Sequence, residues 1–141
     1  MLNKLLPLFL LFILIACSDT SKNEKSFASL LESKFAIDCK DFNKIYALNE
    51  KGYCLKCSYK FMRFLEEEQF KDSTLIFFSG LGSKVDYSSF ISSTNPNIIY
   101  DTNEIIDTYF NINSPAVFIL KNCAVDSTIL ITPETVNLVV K

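Results

Sequence analysis

Polar and apolar positions along the chain change period several times, and each change marks an element. Leu5 to Ile15 is an unbroken apolar run, followed at once by the polar stretch Ser18 to Ser26. Phe27, Leu30, Leu31 and Phe35 then recur at helical spacing. Ile45-Tyr46-Ala47-Leu48 reads as a strand, ended by the turn formers Asn49-Glu50-Lys51-Gly52. From Cys54 to about Phe70 the period is helical again, with Cys57, Phe61 and Leu65 on one face, flanked by Met62 and Phe64, and Glu66-Glu67-Glu68 toward solvent. Thr74 to Phe78 is β-branched and aromatic between polar brackets, the mark of a buried strand that places Phe77 and Phe78 in the core.

The second half continues in the same alternation. Val85 to Ser93 reads as a polar helix with Phe90 and Ile91 inward, and Asn97 to Tyr100 as a short strand after Pro96. Asp101 or Thr102 can cap a helix running to Phe110. Ala116 to Leu120 is a strand, paired as a hairpin with Ser127 to Thr132 across Asn122 to Asp126. Thr132-Pro133-Glu134 has the form of a helix start with proline first, and the valine-rich tail behind it suits either helix or strand. Strand–helix–strand order in the first part implies parallel strands, and the closing hairpin an antiparallel pair. The expected fold class is a mixed α/β sheet flanked by helices.

The leader changes the setting. Lys4 supplies a positive charge ahead of an apolar run too short to span a bilayer comfortably, and the run ends in Leu14-Ile15-Ala16-Cys17. This resembles a bacterial lipobox, which implies cleavage before Cys17 and diacylglycerol on its thiol. Two or three acyl chains anchor stably where one is marginal. The implied organisation is a lipoprotein signal peptide over 1–16, a lipidated tether over 17–26 and one domain over 27–141. The implied location is the bacterial cell envelope, tethered to the cytoplasmic or outer membrane and facing the exported side. About 125 residues remain for that domain, enough for a real core.

Composition narrows the chemistry. The net charge of −2 comes without any block of like charges, so nothing points to nucleic acid. The chain has no histidine, which removes the commonest general base and the commonest metal ligand. Beyond Cys17 it keeps Cys39, Cys54, Cys57 and Cys123, an even number, which in an exported domain invites two disulfides with three connectivities. A zinc site would want four ligands, usually from two knuckles. One CxxC and two scattered cysteines do not supply them, so neither metal nor other cofactor is expected. Ser79-Gly80-Leu81-Gly82-Ser83 lacks the lysine–hydroxyl pair of a phosphate loop and reads as a turn.

Cys54-Leu55-Lys56-Cys57 stands between a strand and an amphipathic helix. The first cysteine faces unpaired amide N–H groups at the helix start, which favour thiolate, and the second sulfur folds back onto it within one turn. Gly52-Tyr53-Cys54-Leu55-Lys56-Cys57 after a strand resembles the active site of the thioredoxin-like superfamily. Asn113-Ser114-Pro115-Ala116-Val117-Phe118-Ile119, following a helix, is similar to the corresponding stretch of membrane-tethered TlpA/ResA-type thioredoxins. The resemblance covers roughly residues 45–132. It implies thiol–disulfide exchange with protein thiols or disulfides of the envelope, Cys54 as nucleophile and Cys57 as resolving thiol. It also implies Tyr53 and a cis-Pro115 at the substrate side. The chain departs from the family in carrying Leu48 where a polar residue usually precedes the first cysteine by six positions, and Glu50 falls in the loop, on the solvent side. The resemblance also implies that the strand after Cys39 and the strand before Cys123 are antiparallel neighbours, which makes Cys39 and Cys123 a candidate structural disulfide at their far end. The alternative is a thioredoxin-like lipoprotein that has no catalytic role and acts as a binding or structural module.

Overall fold

In a computed structural model of the chain, residues 20–51, 54–69, 71–80, 86–91 and 94–140 are described, with side chains from residue 27 onward except those of 89 and 91. They fall into two compact units, the described residues up to Cys39 and those from Lys40 onward. The first contains helix α1 (Thr20–Phe35), which starts ahead of the apolar spacing and buries Phe27 and Leu31. Among the described residues no helix is long and apolar enough to cross a membrane.

The second unit is built on β1 (Lys44–Asn49), whose every residue after Lys44 is buried. Burial on both faces is what a central strand requires, and β1 lies in the middle of a five-stranded sheet of order β3-β2-β1-β4-β5. On one side it pairs in parallel with β2 (Thr74–Ser79), from Lys44↔Thr74 to Asn49↔Ser79, and β2 pairs in parallel with β3 (Ile98–Asp101). On the other side it runs antiparallel to β4 (Ala116–Lys121), which pairs antiparallel with β5 (Ala124–Leu130). The helices are α2 (Leu55–Glu68), α3 (Ser88–Ile91), α4 (Ile105–Phe110) and α5 (Val136–Val139). The mixed α/β sheet is as expected, and this architecture is consistent with a thioredoxin-like fold.

Strand alternation sorts the core onto two faces. Tyr46 and Leu48 of β1 join Ile76 and Phe78 of β2 and Val117 of β4 in one cluster with Cys57, Phe61 and Leu65 of α2. The Tyr46 ring meets Phe61 and Phe64 edge-on, with centroids 5.9 and 5.7 Å apart. Ile45, Ala47 and Asn49 point to the opposite face, where α4 sets Phe110 in a stack on Phe118.

Several local expectations need correction. The β4–β5 turn is only Asn122-Cys123, both with positive φ, because a two-residue turn of that hand matches strand twist; β5 therefore starts at Ala124. Glu68 is buried, not solvated: at the end of α2 it accepts from the Tyr46 hydroxyl and pairs with Lys71. Pro133 is not the first residue of a helix; it lies in the turn before Thr135, and the tail is the short helix α5. Asp101 does cap, but from the end of β3: its Oδ2 accepts from Ile106 N–H at 2.8 Å.

Candidate dithiol site

The parallel strands deliver their carboxyl ends to one edge of the sheet, and the chain leaves β1 there toward Cys54. Cys54 is the N-cap of α2, with φ −105° and ψ 82°. Its carbonyl accepts from Ser58 N–H at 3.0 Å, and its Sγ accepts from Cys57 N–H at 3.2 Å. The carbonyl bond is the first of the helix ladder, and the Sγ satisfies one of the donors that the first helical turn leaves open. Cys54 and Cys57 are joined as a disulfide with Cα atoms 5.2 Å apart, inside the usual range. The two sulfurs are not equivalent: Cys57 is 5 % exposed and belongs to the core under α2, whereas Cys54 is only half-buried. Leu55, Lys56 and Tyr59 around them are exposed.

Pro115 and Cys54 border the same groove. Together with Asn113, Ser114, Leu130, Ile131, Thr132 and Pro133 they line a groove of about 400 Å³. Its walls are fastened by the Ile131 N–H, which donates to the Pro115 carbonyl at 2.7 Å. Apolar side chains dominate it, and Leu130 is 40 % exposed. The expected cis bond is not present: Ser114–Pro115 is trans. Trans is the intrinsically favoured isomer, and Pro115 borders the groove with its Ser114 bond in that form. Tyr53 and Cys17 lie outside the described residues. Cys123, in the turn at the other end of β4, is remote from the groove and cannot resolve Cys54. Among the described residues no cluster of acidic or cysteine ligands fits a metal ion.

Glu50 is half-buried, not on the open loop surface, and its charge helps raise the pKa of buried Tyr87, though burial of that phenol is the larger cause. On the α4 face, the carboxyl ends of three adjacent strands present Asn49, Ser79 and Asp101 in one register row, all buried. Asp107 of α4 lies against this row. Burial pushes its carboxyl above the ordinary aspartate range. Asn49, Ser79 and Lys51 favour its charged form without reversing that shift. Neither Asn49 nor Ser79 closes a hydrogen bond of ordinary geometry with it, so their influence is a weak polar one. Lys51 Nζ stands 3.6 Å from Asp107 Oδ2 and also pairs with Glu104. Gly80, with φ +55°, leaves the space that Glu104 occupies: a Cβ there would meet Glu104 Oε1 at 2.8 Å.

Asn49 and Asp107 escape a reading of the sequence. Asn49 reads as a strand terminator, and Asp107 as one polar position of a surface helix. The available signal is only that three strands in a row end on a polar residue. No protein-family model matches the chain, and no curated protein sequence matches it either.

Proposed function

We propose that the protein is a membrane-anchored thiol–disulfide oxidoreductase, exchanging disulfides with exported proteins through Cys54 and Cys57. The observation that carries this reading is the asymmetry of the disulfide: one sulfur is half-buried at a helix N-cap and borders an apolar groove, and the other lies beneath it in the core. In the reducing direction the Cys54 thiolate attacks a substrate disulfide. A Cys54–substrate bond forms, the substrate S–S bond breaks, and the departing sulfur takes a proton from water. Cys57, its proton lost to solvent, then attacks Cys54 Sγ. The Cys54–Cys57 bond forms and the second substrate sulfur leaves. The substrate gains two electrons and two protons, the dithiol supplies the electrons, and the protein is left as the Cys54–Cys57 disulfide, which an external thiol reductant must reopen before the next exchange. Oxidation of a substrate dithiol is the same path reversed.

Lys4, the apolar run and Cys17 support export and lipid attachment, which would hold the domain at the envelope surface among protein thiols and disulfides. The reading is tested with reduced protein and a peptide containing one disulfide. Free peptide thiols should appear with the wild type and not with Cys54→Ser; equal release by both would overturn it. The exposed Leu130 in the groove favours a second reading, a module that binds apolar polypeptide without exchange, in which peptide binds equally well to the Cys54→Ser protein.

A further inference from the structure

The two segments that flank Cys54 in space are far apart in sequence, and one fully buried side chain joins them. Asn49, at the end of β1, accepts from the backbone N–H of Lys51 through Oδ1 at 3.3 Å, on the segment leading to Cys54. Through Nδ2 it donates to the carbonyl of Ser114 at 3.3 Å, directly before Pro115 in the groove wall. Lys51 is also held by its side chain, through Glu104 and Asp107. A carboxamide is the smallest side chain that offers an acceptor and a donor on one planar group. Hydrophobic burial could not replace it here, because the Ser114 carbonyl would lose a partner.

We infer that Asn49 is a positioning residue of the dithiol site, whose carboxamide fixes the Ser114–Pro115 wall relative to Cys54 and thereby sets the fit of the polypeptide around a substrate disulfide. The inference rests on the oxidoreductase reading above. Asn49 touches neither sulfur, so its effect falls on substrate engagement and leaves the intrinsic reactivity of the thiols intact.

Asn49→Asp separates the two contacts. It keeps an acceptor for Lys51 N–H and replaces the donor to Ser114 with an oxygen. With dithiothreitol regenerating the dithiol and the uncatalysed rate subtracted, exchange with the disulfide-bonded peptide should show KM raised about tenfold, the factor expected for one lost buried hydrogen bond, with kcat little changed. Reduction of the oxidised protein by dithiothreitol, which needs no groove, should proceed at the wild-type rate. Ser79→Ala, which removes a buried polar neighbour of the same row but no link to Ser114, should leave KM unchanged. An Asn49→Asp protein with wild-type KM, or with kcat and dithiothreitol reactivity lowered instead, overturns the inference. So does a Ser79→Ala protein with the same rise in KM. A wild-type protein without any exchange would sink the oxidoreductase reading and this inference with it. Wild-type exchange with an unchanged Asn49→Asp removes the inference alone. If Asn49→Asp does not fold, hydrogen exchange in the wild type decides: the Lys51 amide should be protected, and exchange at the rate of a free amide contradicts the bridge.

Discussion

The Tyr46 hydroxyl donates to Glu68 Oε2 at 3.1 Å, tying the middle of β1 to the last residue of α2 inside the core. Burial, and then the neighbouring Glu68 charge, hold Tyr46 well above its ordinary pKa. Tyr46→Phe leaves a buried carboxylate short of a donor, which costs roughly 1–3 kcal/mol. Urea denaturation at pH 7 should show that loss, with a smaller one for Glu68→Gln. A phenol whose folded-state pKa lies above its unfolded value keeps its contribution below the unfolded value of 10.0 and loses it as pH rises beyond. Wild-type stability should therefore fall above pH 10, and Tyr46→Phe should fall less steeply.

Asp107 makes the opposite kind of prediction. Its pKa is raised chiefly by burial, so the ionised form weakens the fold, and the weakening sets in as pH climbs from the unfolded value of 3.8 through the folded one. Asp107→Asn should raise the melting temperature at pH 7. The difference should close as pH drops below the ordinary aspartate range. A variant less stable than wild type at pH 7 would mean that the Lys51 ion pair outweighs desolvation.

The strands and the helix behind the CxxC were legible because period and burial agree there. Ile45-Tyr46-Ala47-Leu48 and Thr74 to Phe78 are central strands buried on both faces, and Cys57, Phe61 and Leu65 repeat at helical spacing over one core. Glu68 was not legible, since an acidic run is ordinarily solvated and its buried partner stands twenty-two residues away. The β4–β5 turn was missed because Asn-Cys lacks the glycine that usually signals such a turn. The groove was half legible: Pro115 could be placed beside Cys54 by resemblance, but Leu130 to Pro133 reach it only through the β4–β5 pairing. The Asn49 bridge is a tertiary contact spanning sixty-five residues, for which one sequence holds no signal.

Cys39 and Cys123 are each in the disulfide-bonded form. We expect them to be partners. Non-reducing peptide mapping should return one peptide pair joined through these two cysteines. Their replacement by serine should cost about 2–5 kcal/mol without touching exchange at Cys54. A map joining either one to Cys54 or Cys57 would contradict the site as described.

The anchor is tested at Cys17. In a lipoprotein-processing bacterium, mass spectrometry of the mature N-terminus should find an acylated cysteine at position 17. Cys17→Ala should leave the protein unlabelled by fatty acid and either uncleaved or soluble. An unmodified mature terminus at any other residue would refute lipid attachment.

The division of labour between the two sulfurs is the centre of the account, and trapping in cells tests it most directly. With Cys57→Ser, the more accessible Cys54 should attack substrates and stall, so that mixed disulfides with envelope proteins accumulate and disappear on reduction. Cys54→Ser, with only the buried sulfur left, should trap none. Adducts on Cys54→Ser, or none on Cys57→Ser while the double-serine protein retains the wild-type cellular effect, would contradict an exchange role for this disulfide.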